Sequence, residues 1–259
     1  MGIFMPKPSF SQHYLTDSTQ VDSITLVNHK AILNALSTEL FEKHVFYSKG
    51  SSLPYRLLKP KNYDSSKKYP LIITFHNSVR IGDDNEKQLE PLARIWLLEN
   101  NYAKYNCFVL ASRSAIYEQG TAGIMQSKPS GALTSVLELI ALIQETYPID
   151  SKQLYLLGYS MGGSTAQHVM ALKPTWFAGL ISIAGTPDLS NVEAMSRKKI
   201  LLIHGEKDKS NAYLGSKILF EKLPHNQQLT FVNYPNLDHD NIVIPLLLSD
   251  FIPSWIFQK

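Results

Sequence analysis

A serine hydroxyl attacks a carbonyl carbon only when it is exposed, faces a base, and has donors beside it for the charge that develops. The run Gly158-Tyr159-Ser160-Met161-Gly162 meets the first requirement. An apolar segment, 154–157, precedes it and a helix-like segment, 161–172, follows it. A tight strand-to-helix turn leaves no room for side chains flanking the nucleophile, which accounts for glycine at both outer places. The start of such a helix directs free amides and the positive end of its dipole toward the reacting group. G-x-S-x-G alone is weak evidence. With a strand before it and a helix after it, it makes Ser160 the candidate nucleophile.

Behind a turn of this kind the partners follow in chain order, acid and then base. Beyond Ser160, three histidines fall near strand ends: His204, His225 and His239. His239 lies in Tyr234-Pro235-Asn236-Leu237-Asp238-His239-Asp240, a turn-rich loop between the last strand and the final helix, and is the candidate base. His225 follows Pro224 at a helix end, at the wrong edge of the sheet. His204 ends the strand at 200–203 and is read as structural, packing against the acid loop. His168, two turns into the helix after Ser160, is expected to be a partly exposed helix residue. Asp208, in His204-Gly205-Glu206-Lys207-Asp208, is the best-placed acid to fix the tautomer of His239, with Glu206 and Asp188 as rivals. Asp238 and Asp240 are too close in sequence to orient His239 and are expected to be solvated. Asp238-His239-Asp240 with His204 lacks a recognisable ligand spacing, so no metal is expected, and the chemistry needs no cofactor.

Elements that could position these groups recur along the chain. Short apolar runs at 71–75, 108–111, 154–157, 180–184 and 200–203, and more weakly at 231–234, fit buried strands. Helical patterns fall between most of them, at about 87–100, 131–146, 161–172, 212–223 and 243–257. This alternation implies an α/β fold with a mainly parallel sheet and helices on both faces. Such sheets carry their sites at the carboxyl ends of the strands. A β-hairpin, with strands at 42–47 and 53–58 and a turn at 50–52, should precede the core strands. Residues 1–41 read as a polar leader or arm with a weak helical pattern at Ile32, Leu33, Leu36 and Leu40, and residues 42–259 as one domain.

Composition narrows the classes. At 259 residues, 44% hydrophobic and 18% charged, the chain can bury a sizeable core. Its net charge of +3 is small and its Lys and Arg are dispersed, so nucleic-acid binding is not expected. Cys107, the single cysteine, sits in an apolar run and is read as a buried strand residue. No stretch reaches membrane-spanning length. The first residues show no signal-peptide run, so the chain as written is expected to be cytoplasmic, or periplasmic or secreted if a signal sequence has been removed.

A second oxyanion donor should come from the loop after 71–75, which reads His76-Asn77-Ser78-Val79-Arg80-Ile81-Gly82-Asp83-Asp84-Asn85-Glu86-Lys87-Gln88-Leu89. Here the sequence resembles the predicted-peptidase and esterase branch of the α/β-hydrolases, related to polyhydroxybutyrate-depolymerase-like and feruloyl or acetylxylan esterases. That family has a strand, His-Gly, a short loop, Gly, and an Asp-Asn-x-x-Gln-Leu helix start. Further matches are the 53–64 segment, Ser160-Met161-Gly162-Gly163, His204-Gly205-Glu206-Lys207-Asp208, and Tyr234-Pro235-Asn236 before His239-Asp240. The resemblance spans about 42–258. It implies an α/β-hydrolase fold, a triad of Ser160, Asp208 and His239, and an oxyanion hole from the amides of Met161 and of Asn77 or Ser78. The expected reaction is hydrolysis of a small carboxylic ester. A short-peptide peptidase and a non-catalytic hydrolase-fold binding protein are the alternatives. No long apolar lid insertion suggests a lipase. Arg80 and Arg113 are candidate contacts for an anionic or sugar-linked group.

Two positions depart from the family. Asn77 stands where it has the glycine after the strand-end histidine, and Asp238 where it has the glycine before the catalytic histidine. Both residue types tolerate positive φ, so the backbone is expected to survive. Their side chains are expected to narrow the acyl pocket and, at Asp238, to favour a protonated imidazole.

Overall fold

Short, nearly continuous runs of β-branched residues and leucine build a sheet whose central strands are covered on both faces. The computed structural model describes residues 12–48, 51–82, 84–112, 132–187, 189 and 191–258. Its strands are β1 (His13–Thr16), β2 (Phe41–Ser48), β3 (Ser51–Leu58), β4 (Tyr69–Phe75), β5 (Phe108–Ser112), β6 (Ile149–Tyr159), β7 (Gly179–Ile183), β8 (Lys199–Gly205) and β9 (Leu229–Tyr234). They form one sheet in the order β1-β9-β8-β7-β6-β4-β5-β3-β2. The β2/β3 hairpin pairs antiparallel and joins β5 antiparallel, and every other neighbouring pair is parallel. The mainly parallel sheet with a hairpin at one edge is the architecture the sequence pattern implied.

The helices are α1 (Ser23–Asn34), α2 (Pro91–Arg94), α3 (Glu99–Lys104), α4 (Leu133–Thr146), α5 (Met161–Leu172), α6 (Tyr213–Glu221), α7 (Ile244–Leu247) and α8 (Phe251–Phe257). Successive strand residues serve opposite faces. Leu71, Ile73 and Phe75 of β4 join one core layer with α4, α5 and α6, while Ile72 joins the other with α1, α2, α7 and α8. Cys107 is buried there, as its apolar run suggested, and burial pushes its thiol up.

Several local expectations change. The continuous helix at 87–100 is instead α2, a 3-10 turn at Ile95–Leu97, and α3. Glu90 is extended (φ −74°, ψ 174°), Pro91 opens α2, and Leu98 (φ −57°, ψ 127°) interrupts the chain again. The helix at 243–257 is likewise split into α7 and α8 around Ser249-Asp250. Ser51 and Ser52, expected in the hairpin turn, already pair with Ser48 and Tyr47, and residues 49 and 50 lie outside the described residues. His168 is buried rather than partly exposed, because α5 is enclosed along nearly its whole length.

The leader supplies α1 and also β1, which the pattern did not announce. All four β1 residues are exposed, so no apolar alternation marks them. The strand forms because β9 offers an open edge, and Tyr14 packs edge-on against Phe231 at 5.5 Å. Asp22 caps α1 through the Thr25 amide at 2.6 Å. The Arg94 guanidinium holds the other end, donating to the carbonyls of Leu33, Asn34 and Leu36 at 3.3, 3.2 and 3.2 Å.

Candidate active site

Ser160 sits between β6 and α5 with φ 57° and ψ −123°, a conformation that a side-chain-bearing residue adopts at a cost. Sterics explain the two glycines around it. A Cβ on Gly158 would lie 2.2 Å from the Gly162 carbonyl, and a Cβ on Gly162 would lie 2.0 Å from the Phe75 carbonyl oxygen. The turn therefore closes only without side chains there, and the start of α5 comes against the end of β4. The Ser160 amide is held by the Ile183 carbonyl at 2.9 Å.

Three sequence-predicted residues meet at this carboxyl end of the sheet. Ser160 Oγ lies 2.9 Å from His239 Nε2, and His239 Nδ1 lies 2.7 Å from Asp208 Oδ2. A carboxylate only accepts, so Nδ1 carries the proton and Nε2 is left to accept from the serine hydroxyl. The Asp208 side chain is fully buried and that of His239 is 15% exposed. Burial by itself would raise the Asp208 carboxyl. Hydrogen bonds from His204 and His239 and from the Asn211 amide outweigh it and hold the group well below the usual carboxylate range.

The loops that bring Asp208 and His239 together are tied to each other. Gly205 permits the approach, since a Cβ there would stand 2.2 Å from the Leu237 carbonyl oxygen. Glu206 and Lys207 donate amides to Tyr234 and Leu237 at 3.0 and 3.1 Å. Asp208 Oδ1 accepts from the amides of Ser210 and Asn211, both at 2.8 Å, which leaves Oδ2 for the histidines. His204, read as structural, reaches that same oxygen. Its Nε2–H donates to Asp208 Oδ2 at 3.2 Å and to the Asn211 carbonyl at 3.3 Å, and its Nδ1 lies 2.7 Å from Ser216 Oγ.

The rivals fall elsewhere. Glu206 accepts from Asn233 Nδ2 at 2.6 Å, Asp188 lies outside the described residues, and His225 is exposed. Asp238 is exposed and its Oδ1 accepts from the Asp240 and Asn241 amides at 3.0 and 3.1 Å. It shapes the turn before His239 from the solvent side. Neither Asn77 nor Asp238 needs the left-handed backbone: only Asn85, Ser160 and Ala184 have positive φ among the described non-glycine residues.

Two buried side chains beside these residues carried no signal in the sequence. Tyr159 donates its hydroxyl to the His239 carbonyl at 2.6 Å and packs its ring 5.2 Å from the imidazole. Burial and the nearby carboxylates push that phenol up, so it remains a donor. Glu90 lies behind the 76–80 loop. Its Oε2 accepts from the Asn77 main-chain amide at 3.2 Å and from Asn77 Nδ2 at 2.8 Å. The amides of Ser78, at the start of the 3-10 helix Ser78–Arg80, and of Met161, at the start of α5, stand at first-turn positions where helices leave donors free. Arg80 is half-buried on the same 3-10 helix, and Arg113 lies outside the described residues.

No protein-family model matches the chain. The fold is that of the α/β-hydrolases, as solved structures of that class superpose on it. A thermostable esterase is 26% identical with a TM-score of 0.74, over 85% of this chain and 63% of its own. A CE1 ferulic acid esterase from Anaeromyces mucronatus is 17% identical with a TM-score of 0.60, over 83% of this chain and 90% of its own, a likeness of fold. Among curated proteins, monoglyceride lipase of Mus musculus is 39% identical over 66 residues, 26% of this chain and 21% of that protein. The chain thus spans under two thirds of the esterase and about a fifth of the lipase.

Proposed function

We propose that the protein is a serine hydrolase of small carboxylic esters, with Ser160 as nucleophile, His239 as general base and acid, and Asp208 as the group that orients and stabilises His239. The observation that carries this is the unbroken line from Ser160 Oγ through His239 to Asp208, at 2.9 and 2.7 Å. Similarity to a thermostable esterase supports the substrate class.

In this mechanism His239 Nε2 takes the hydroxyl proton as Ser160 Oγ bonds to the ester carbonyl carbon, and the carbonyl π pair moves to oxygen. The amides of Met161 and Ser78 receive that oxyanion. The Asn77 amide, already given to Glu90, is not available to it. As the pair returns, the bond to the alcohol oxygen breaks and imidazolium protonates the leaving alkoxide. Water, deprotonated by His239, then repeats the attack on the acyl-enzyme, and the acid leaves with Ser160 restored. Asp208 stays ionised throughout, which its depressed pKa supports.

A fluorophosphonate probe together with a p-nitrophenyl ester chain-length series tests the proposal. The wild type should be labelled and should turn over short esters, and Ser160→Ala should lose both. Absence of labelling in the folded wild type would leave the fold as a binding protein. Peptide-amide cleavage with poor ester turnover would make it a peptidase. Among the described residues no helix is long and apolar enough to cross a membrane.

A further inference from the structure

Glu90 plays no part in the proton transfers above, yet it is a buried acid bonded to the loop that follows β4, whose end packs against the start of α5 at Gly162. It is 2% exposed at the residue before α2, and its own carbonyl accepts from the Ala93 and Arg94 amides at 2.9 and 3.0 Å. Its Oε2 takes two donors from one residue, the main-chain and side-chain N–H of Asn77. Its Oε1 is buried with no hydrogen-bond partner among the described residues. Asn77 passes this restraint on. Its Oδ1 accepts from the Val79 amide and its carbonyl from the Arg80 amide, both at 3.1 Å, so the first turn after it is closed from both ends. With φ −75° and ψ 171°, Asn77 is in backbone space open to any residue. A glycine there would keep the main-chain bond to Glu90 but lose both side-chain bonds.

We propose that Glu90 is a positioning residue that clamps Asn77 and so holds the Ser78 amide at the site where the oxyanion develops. The inference rests on the ester-hydrolase function proposed above. Oxyanion donors stabilise a transition state only when they are fixed before charge develops, and a misplacement of about 1 Å costs roughly 100-fold. An acid behind an oxyanion hole would defeat its purpose if it were ionised. Burial pushes the Glu90 carboxyl up to about 8, against the opposing influence of the Asn77 amide and Arg80, so the group is largely uncharged at neutral pH. Among the described residues Tyr159 also interacts with it, and its phenol is itself pushed up and stays neutral, while buried His76 on the same loop bonds the Asn77 carbonyl at 2.7 Å. Asn77 and Glu90 thus belong together: the departure from glycine supplies a side chain, and the buried acid gives that side chain its partner.

The test compares Glu90→Ala, Glu90→Gln and Asn77→Gly with the wild type. Readouts are kcat and KM on p-nitrophenyl acetate, inhibition by phenylboronic acid, which forms a tetrahedral anionic adduct on a nucleophilic serine, and thermal unfolding. Glu90→Ala should lower kcat roughly 10- to 100-fold and weaken the boronic acid by a similar factor, with KM nearly unchanged. Glu90→Gln, whose amide oxygen can accept the same two N–H groups, should recover most of both. If Glu90→Ala does not fold, Asn77→Gly decides, and it should shift kcat and boronic-acid affinity in the same direction. Wild-type kcat and inhibition in a folded Glu90→Ala or Asn77→Gly would overturn the clamp, as would a loss confined to KM or a Glu90→Gln no better than alanine. A wild type that turns over no ester would overturn the proposed function and the clamp with it, an outcome distinct from all of these.

Discussion

Asp208 carries two demands at one atom. Its Oδ2 accepts from His239 at 2.7 Å and from His204 at 3.2 Å, while its other oxygen is spent on two amides of its own turn. Such a carboxylate is fixed in direction as well as in charge, which is what the imidazole needs to keep its proton on Nδ1. An asparagine would preserve the shape but offer an amide in place of a charge. Asp208→Asn should therefore lower kcat by about 10³- to 10⁴-fold, with fluorophosphonate labelling slowed in parallel, as steady-state kinetics and labelling rates would show. A variant within tenfold of the wild type would remove Asp208 from the proposed mechanism. At Ser160 the chain itself bears the cost: φ 57° in a non-glycine residue persists because β6, α5 and the Ile183 carbonyl over-determine it.

At the level of elements, the loop that follows β4 is anchored at its far end by the hairpin. Arg56 of β3 is buried and donates to the carbonyls of Phe41, Thr38 and Asn85 at 2.8, 2.9 and 2.9 Å and to Glu86 at 2.7 Å. Asn85 adopts φ 54° and donates its side-chain amide to the His44 carbonyl at 3.1 Å, and Asp84 closes the turn through the Glu86 and Lys87 amides, both at 3.0 Å. The Asp84-Asn85-x-x-Gln88-Leu89 pattern is thus a built turn rather than a helix start. Arg56→Ala would remove the buried donor that the Phe41, Thr38 and Asn85 carbonyls share, while Glu86 keeps Lys43 at 2.6 Å and Thr38 keeps the Phe41 amide at 3.0 Å, and should cost about 2–3 kcal/mol in urea unfolding. A cost below about 1 kcal/mol would show that the hairpin and loop are held by packing alone. Activity should fall less than stability, because Arg56 touches none of the reacting groups.

Across the whole molecule, two buried acids set opposite pH dependences. Glu90 keeps a proton in the folded state between the ordinary glutamate value of 4.5 and about 8, where the unfolded chain releases it. Its contribution to stability is complete below 4.5 and is lost as pH rises toward 8. The Asp208 contribution is complete above the ordinary aspartate value of 3.8 and is lost as pH falls through its lower folded value. Urea unfolding at pH 5 and pH 8 should show the wild type losing stability relative to Glu90→Gln, by about 1.4 kcal/mol per pH unit at most. Equal losses in the two proteins would mean that Glu90 is ionised in the fold. The same scale explains β1, whose four exposed residues become a strand only because β9, more than two hundred residues away, presents a free edge.

The sequence by itself determined what depends on neighbours along the chain. Glycines at 158 and 162 specify a turn that closes only without side chains, apolar runs separated by helical periods specify a parallel sheet, and chain order places an acid and then a histidine after Ser160. Tertiary structure decided everything that rests on contacts between distant segments. His239 meets Ser160 across 79 residues and Asp208 across 31, and the sequence, which favoured Asp208, kept Glu206 as a rival that only the packing of β8 beside β9 sends to Asn233 instead. Glu90 read as part of a helix, because periodicity cannot see that Pro91 and an extended residue break it, or that its carboxyl turns back onto Asn77. His168 read as partly exposed, because the pattern of α5 does not record that it is enclosed along nearly its whole length. Burial and partner choice are properties of packing. The residues that only packing could assign, Glu90 and Tyr159, are those bonded to Asn77 and to the His239 carbonyl.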